Sequence, residues 1–182
     1  MLKNKNIVIG VTGGIAAYKA CEVINRLRHE GANVYVIMTK HATEFITPLT
    51  LQTLSNNMVV TDMFEQITTW EVEHIALATK ADLFLVVPAT ANIIGKIANG
   101  IADDMLSTTI MATKAPVVFA AAMNENMYNN KIVQANIEKL KDYGYYFVDP
   151  VVGMLACGVK GVGKLAKPEA IVEYVKTMKE MS

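Results

Sequence analysis

Short apolar runs rich in β-branched residues alternate along the chain with longer segments whose apolar positions recur every three or four residues. The first run, Ile7–Val11, reads as a buried strand, and Thr12-Gly13-Gly14 after it as a tight turn. From about Ile15 to Glu30 the spacing predicts a helix, closed by Gly31. Asn33–Met38 is a second apolar strand. A helix from about Ala42 to Ser55 follows, in which Pro48 begins a new helical turn or a kink. Val59–Trp70 reads as irregular and Val72–Thr79 as a short helix. Asp82–Val87 is a strand ending at Pro88, Ile93–Ile101 is helical up to Gly100, and Asp104–Thr113 forms another helix. Val117–Ala121 is the next strand, and Asn130–Tyr143 an amphipathic helix stopped by Gly144. Tyr145–Val148 is a short strand, and Lys167–Met178 a final helix begun at Pro168-Glu169.

Strand–helix alternation of this kind predicts an α/β fold: a three-layer, doubly wound parallel sheet with helices on both faces. Ligands of such sheets bind at the carboxyl ends of strands. The 182 residues fit one domain, 1–182. Pro150–Lys167, rich in glycine, reads as a mobile loop, a flap rather than a linker.

Composition narrows the function. Hydrophobic residues make up 52% of the chain and mean hydropathy is +0.28, yet no apolar run reaches the ~20 residues of a membrane span. The surplus predicts buried strands and subunit interfaces. Seventeen basic residues balance seventeen acidic ones, so charge makes no case for nucleic acid or a membrane surface. The start of the chain, polar from Lys3 to Asn6, does not read as a signal peptide. Two cysteines, Cys21 and Cys157, lie far apart without metal-ligand spacing, so no metal site is expected, and a cytoplasmic, reducing setting fits.

The predicted strand ends carry the candidate chemistry. Gly10-Val11-Thr12-Gly13-Gly14-Ile15-Ala16-Ala17 suits a phosphate at a helix N-terminus, or is an ordinary tight turn. It lacks the Gly-Lys-Ser/Thr of a nucleotide P-loop and the spacing of a dinucleotide motif. Thr39-Lys40-His41 offers a hydroxyl and an ammonium, or an N-cap with exposed neighbours. Thr90-Ala91-Asn92 suits a flat ligand resting on backbone, or a helix cap. In Ala122-Met123-Asn124-Glu125-Asn126-Met127 the Asn124 amide can hold a carboxylate, or serve a turn. His74 could move protons near neutral pH, or be a surface residue. Cys157 stands among four glycines of the flap and is a candidate reactive thiol, whereas Cys21 reads as core filling.

In this order the motifs resemble the homo-oligomeric flavin-containing cysteine decarboxylases over nearly the whole chain. Within that family they are most similar to the module that serves bacterial coenzyme A synthesis. The resemblance implies a Rossmann-like flavoprotein fold with FMN against Gly13, Gly14, Ile15, Ala16, Thr39, Lys40, Thr90, Ala91, Asn92 and Ser107. It implies catalytic roles for His74, Asn124 and Cys157, and substrate contacts from Asn124, Met127 and Lys164. Ala121, Ile93, Tyr128 and Lys164 stand where the family usually has Pro, Thr, Trp and Arg. Lys164 keeps the charge without the bidentate fork.

The implied substrate is 4'-phosphopantothenoylcysteine and the implied product 4'-phosphopantetheine. The thiol-bearing carbon is oxidised to a thioaldehyde, whose C=S group takes up the electrons released with CO2. The resulting enethiol is then reduced, with Cys157 as proton source. A homotrimer or multiple of trimers is implied, with a phosphopantothenate–cysteine ligase fused or separate. Three relatives of similar fold are less well matched. A peptidyl-cysteine decarboxylase would stop at the enethiol and lacks the flap cysteine. A flavin prenyltransferase needs prenyl-phosphate ligands not found here, and a non-catalytic flavin-binding regulator carries long acidic extensions.

Overall fold

The computed structural model describes residues 2–63, 73–154, 158 and 160–178. Its centre is a six-stranded, wholly parallel sheet in the order β3-β2-β1-β4-β5-β6. The strands are β1 (Asn6–Val11), β2 (Asn33–Met38), β3 (Val59–Val60), β4 (Leu83–Ala89), β5 (Val117–Ala121) and β6 (Tyr146–Val148). Every residue of β4 and β5 is buried, which is why their sequences run apolar without alternation. Neighbouring residues on one strand nevertheless face different cores. Ile7, Ile9 and Val11 pack with α1 (Ala20–His29), α2 (Pro48–Ser55) and α8 (Pro168–Met178). Val8, Phe84, Val86 and Phe119 pack on the other side with α3 (Glu73–Lys80), α4 (Ala91–Ala98), α5 (Met105–Ala112) and α7 (Lys131–Asp142). This is the three-layer, doubly wound α/β sandwich expected from the pattern.

The structure corrects several boundaries. Val59–Val60 pairs with Val36 and Ile37, so the stretch expected to be irregular opens with an edge strand. The helix expected from Ala42 to Ser55 is two pieces, a 3-10 turn at Lys40–Glu44 and α2. Proline cannot donate the helical N–H and pushes its predecessor into extended conformation. Thr47 accordingly sits at φ −77°, ψ 146° and caps a new helix with Pro48 in its first turn. The first helix likewise begins as a 3-10 turn, Ile15–Lys19, with Ala17 N–H donating to the Gly14 carbonyl at 2.8 Å. β4 does not stop at Pro88 but runs to Ala89. The register against β5 slips between Val86 and Ala89, leaving Pro88 outside the regular ladder.

A one-turn helix, α6 (Glu125–Tyr128), follows β5. The segment expected to be a loop is an antiparallel hairpin, β7 (Val151–Met154) with β8 (Lys160–Lys164). Among the described residues no helix is long and apolar enough to cross a membrane.

Candidate functional site

The sheet order reverses between β1 and β4, and a crevice opens there at the strands' carboxyl ends. Loops after β1, β2, β4 and β5, with the hairpin, surround an open cleft of about 990 Å³. A cleft of that size suits a cofactor-sized ligand together with a substrate.

The β1 and β2 loops form one wall. Thr12 is buried and its hydroxyl donates to the Pro88 carbonyl at 2.6 Å, tying the β1 exit to the β4 exit. Gly13 is where the two loops press together. A Cβ there would collide with the Cβ of His41 and stand 2.9 Å from its carbonyl carbon. Thr39 caps the Lys40–Glu44 turn, its oxygen accepting the Ala42 N–H, so its hydroxyl proton is left to donate. The cap and the ligand readings of Thr39 are therefore compatible.

Positive charge gathers on the same wall. Lys19, Lys40 and Lys164 all line the cleft, and among the described residues none is ion-paired. Burial pulls the Lys19 pKa down, the like charge of Lys164 adds to the fall, and Glu22 partly opposes it. An anion between these ammoniums would relieve both effects.

The opposite wall comes from α4 and α5. Thr90 is the N-cap residue of α4 and its hydroxyl is not used in capping. Lys96 bonds Asp103 at 2.6 Å and Asp104 at 2.8 Å, so this cluster adds no positive charge to the cleft. Burial would raise the Asp104 carboxyl. Bonds from Lys96 and Ser107 outweigh it and hold the group below the usual carboxylate range. Ser107 is fully buried and does not line the cleft. It forms a capping box with Asp104, its N–H donating to Asp104 Oδ1 at 2.8 Å and its Oγ accepting the Asp104 N–H at 3.1 Å.

The floor toward β5 carries Asn124. Its Oδ1 accepts the Asn126 N–H at 2.9 Å, which leaves the amide N–H2, two donors and no charge, for the cleft. The hairpin lies beside it. Met123 N–H donates to the Gly163 carbonyl at 3.0 Å, and Val162 N–H to Glu125 Oε1 at 3.2 Å.

Gly13, Gly14, Ile15, Ala16, Thr39, Lys40, Thr90, Asn92, Asn124, Met127 and Lys164 thus share one cleft. Ala91 begins α4 at its edge without lining it. His74, half-buried in the first turn of α3, also lies outside the lining. Cys157 lies outside the described residues. Cys21 is half-buried against the core, and burial raises its thiol pKa, consistent with packing. The cleft adds Lys19, Lys96 and Asp104, which no sequence motif pointed to, and Thr12, which the first motif contained without a role of its own. For Lys19 the available signal was its place on the turn directly after the glycine loop.

Residues 1–179 match the Flavoprotein family. The chain is 52% identical over 176 residues to the coenzyme A biosynthesis bifunctional protein CoaBC of Bacillus subtilis, covering 97% of this chain and 43% of that protein. It is 42% identical over 174 residues to a probable phosphopantothenoylcysteine decarboxylase of Streptococcus mutans, covering 94% of this chain and 97% of the relative. Among solved structures it is similar to a cysteine-to-serine mutant of PPC decarboxylase complexed with pantothenoylaminoethenethiol. That match has a TM-score of 0.87 and 29% identity over 98% of this chain and 100% of the other. The FMN-dependent cysteine decarboxylase SpaF matches with a TM-score of 0.81 and 29% identity, over 95% of this chain and 98% of its own.

Proposed function

This chain belongs to the flavoprotein family, among the phosphopantothenoylcysteine decarboxylases, and from that premise we propose that it converts 4'-phosphopantothenoylcysteine to 4'-phosphopantetheine with FMN. The observation that carries the reading is the single cleft. It joins a glycine turn, strand-end hydroxyls and three lysines without an ion pair among the described residues to the neutral donor Asn124. These residues fit a flat, phosphorylated cofactor. The closely packed Gly13 turn, Thr39 and Thr90 would hold it, and Lys19, Lys40 and Lys164 supply charge for its phosphate and the substrate's. When bound, FMN supplies a reversible two-electron oxidation at the thiol-bearing carbon.

The chain's own groups do the rest. Asn124 donates its amide N–H2 to the substrate carboxylate, orienting the bond to be broken without adding a positive charge that would stabilise the carboxylate too well. His74 takes the thiol proton. Loss of two electrons and one further proton, a hydride equivalent, from the resulting CH2–S⁻ unit leaves a thioaldehyde. The C–C bond pair then flows to sulfur as CO2 departs, giving the enethiolate. Cys157 protonates the carbon that lost CO2 as the electron pair returns. The relative solved with pantothenoylaminoethenethiol in a cysteine-to-serine background supports this order. A reducing cytosol keeps Cys157 a thiol.

The rim of the cleft exposes Ile15, Tyr18, Met127 and Met154. Apolar residues clustered at a ligand mouth support a homotrimer, or a multiple of trimers, in which a second subunit closes the site. His74, outside the cleft of its own chain, would then serve a neighbour's. The chain spans 43% of the bifunctional relative from Bacillus subtilis. A phosphopantothenate–cysteine ligase, fused or separate, would supply the substrate.

The Cys157→Ser variant tests the assignment under anaerobic stopped flow. A hydroxyl is a far weaker acid than a thiol of pKa ~8.5. The flavin should bleach once, with one CO2 released, and stay reduced, while the wild type bleaches and recovers. Full turnover by the variant, or no bleaching at all, would overturn the role.

A further inference from the structure

Glu125 sits between the residue proposed to hold the substrate carboxylate and the hairpin whose Met154, Gly163 and Lys164 line the cleft. Its Oε1 accepts the Val162 N–H at 3.2 Å. On the other side of Asn124, the Met123 N–H donates to the Gly163 carbonyl at 3.0 Å. β8 is thus fastened to both sequence neighbours of Asn124, once by main chain and once by a carboxylate. The strand is shaped for this approach. A Cβ at Gly161 would stand 2.5 Å from the Glu125 carboxyl carbon, and one at Gly163 would collide with the Met123 carbonyl oxygen. Gly163 also has φ +131°, which side chains rarely adopt. Lys164, next on β8, lines the cleft together with Asn124. A two-stranded hairpin is marginal alone, and the outward residues Val151, Val152 and Met154 are exposed. Its placement therefore depends on the few bonds that dock it.

We propose that Glu125 is a positioning residue that clamps β8 to the Asn124 turn and so sets the spacing of Asn124 and Lys164 across the cleft. This rests on the reading that those two residues hold the carboxylate and phosphate ends of one substrate. The acceptor, not the negative charge, is what the clamp requires, so Glu125→Gln should retain it and Glu125→Ala should lose it.

The test uses the flavin-loaded protein and two readouts, hydrogen exchange at the Val162 amide and the KM for 4'-phosphopantothenoylcysteine. Glu125→Ala should speed Val162 exchange and raise KM about tenfold, the upper end of what one lost hydrogen bond costs, with a smaller change in kcat. Glu125→Gln should restore both. Gly161→Ala, which displaces the carboxylate from the hairpin side, should copy Glu125→Ala, and the double variant should be no worse than either single one. Unchanged exchange and KM in Glu125→Ala would overturn the proposal. So would strictly additive effects, or a Glu125→Gln variant as impaired as Glu125→Ala. If the exchange responds while 4'-phosphopantothenoylcysteine is not consumed, the clamp stands and the substrate reading fails.

Discussion

Asn124 separates a structural role from a chemical one more cleanly than any other residue of the cleft. Asp and Asn are equally good N-caps, so Asn124→Asp keeps the oxygen that accepts the Asn126 N–H at 2.9 Å. Melting should therefore shift little, within the roughly ±0.5 kcal/mol of a neutral surface change. The cleft side changes completely: two donors become a second anionic oxygen, which on the proposed reading faces the substrate's own carboxylate. Losing a hydrogen bond to a charged group costs about 1.5–3 kcal/mol. Two carboxylates ~4 Å apart repel by about 4 kcal/mol at an effective dielectric near 20, and by less where water enters. Together they reach about 5 kcal/mol, or between three and four powers of ten in kcat/KM. The sign of the pH effect follows. A carboxyl beside a carboxylate has its pKa raised, so the introduced group neutralises on acidification and residual turnover should rise as pH falls. CO2 release at saturating FMN, measured beside the flavin spectrum and melting curve, checks all three. A variant that melts normally and turns over within tenfold of wild type would refute the reasoning.

Two further outcomes follow from the same geometry. Gly13→Ala should lower the melting temperature and flavin retention, at a cost of about 1–3 kcal/mol, because the new Cβ meets the His41 backbone. Gly14→Ala should be tolerated by the fold, since that Cβ would lie 3.6 Å from Thr90 Cγ2 and the backbone is extended at φ −158°. Equal melting of the two variants would contradict the packing argument. For Asp104, the folded carboxyl titrates below its unfolded counterpart, so its stabilisation is present above the unfolded pKa and lost as pH falls through the folded one. Wild-type melting should drop on acidification below about pH 4, the unfolded carboxylate value, and Asp104→Asn should flatten that part of the profile.

The central strands were legible because a parallel strand buried on both faces leaves an unbroken apolar run, as in Leu83–Val87. β3 was not, since two residues, Val59 and Val60, are too short to carry any period. The hairpin has the sequence of a loop because glycines at 153, 161 and 163 erase the alternation that marks a strand. Those glycines serve close approach, which no local pattern encodes. At the site, strand-end motifs could be placed because the fold class itself sends them to one edge. Ser107 was a different case. The resemblance set it against FMN, whereas the structure commits its hydroxyl to a capping box with Asp104. The Lys96 bonds to Asp103 and Asp104 tie α4 to the residues that open α5 and had no signature in either segment.

The central claim, flavin-dependent decarboxylation of a phosphorylated cysteine conjugate, is tested most directly by following one reaction to its products. Purified protein, saturated with FMN, should consume 4'-phosphopantothenoylcysteine anaerobically and yield CO2 and 4'-phosphopantetheine in equal amounts, over many turnovers and without a net change in flavin spectrum. Failure to bind flavin, or a reaction that stops at the enethiol after one CO2 per flavin, would contradict the account.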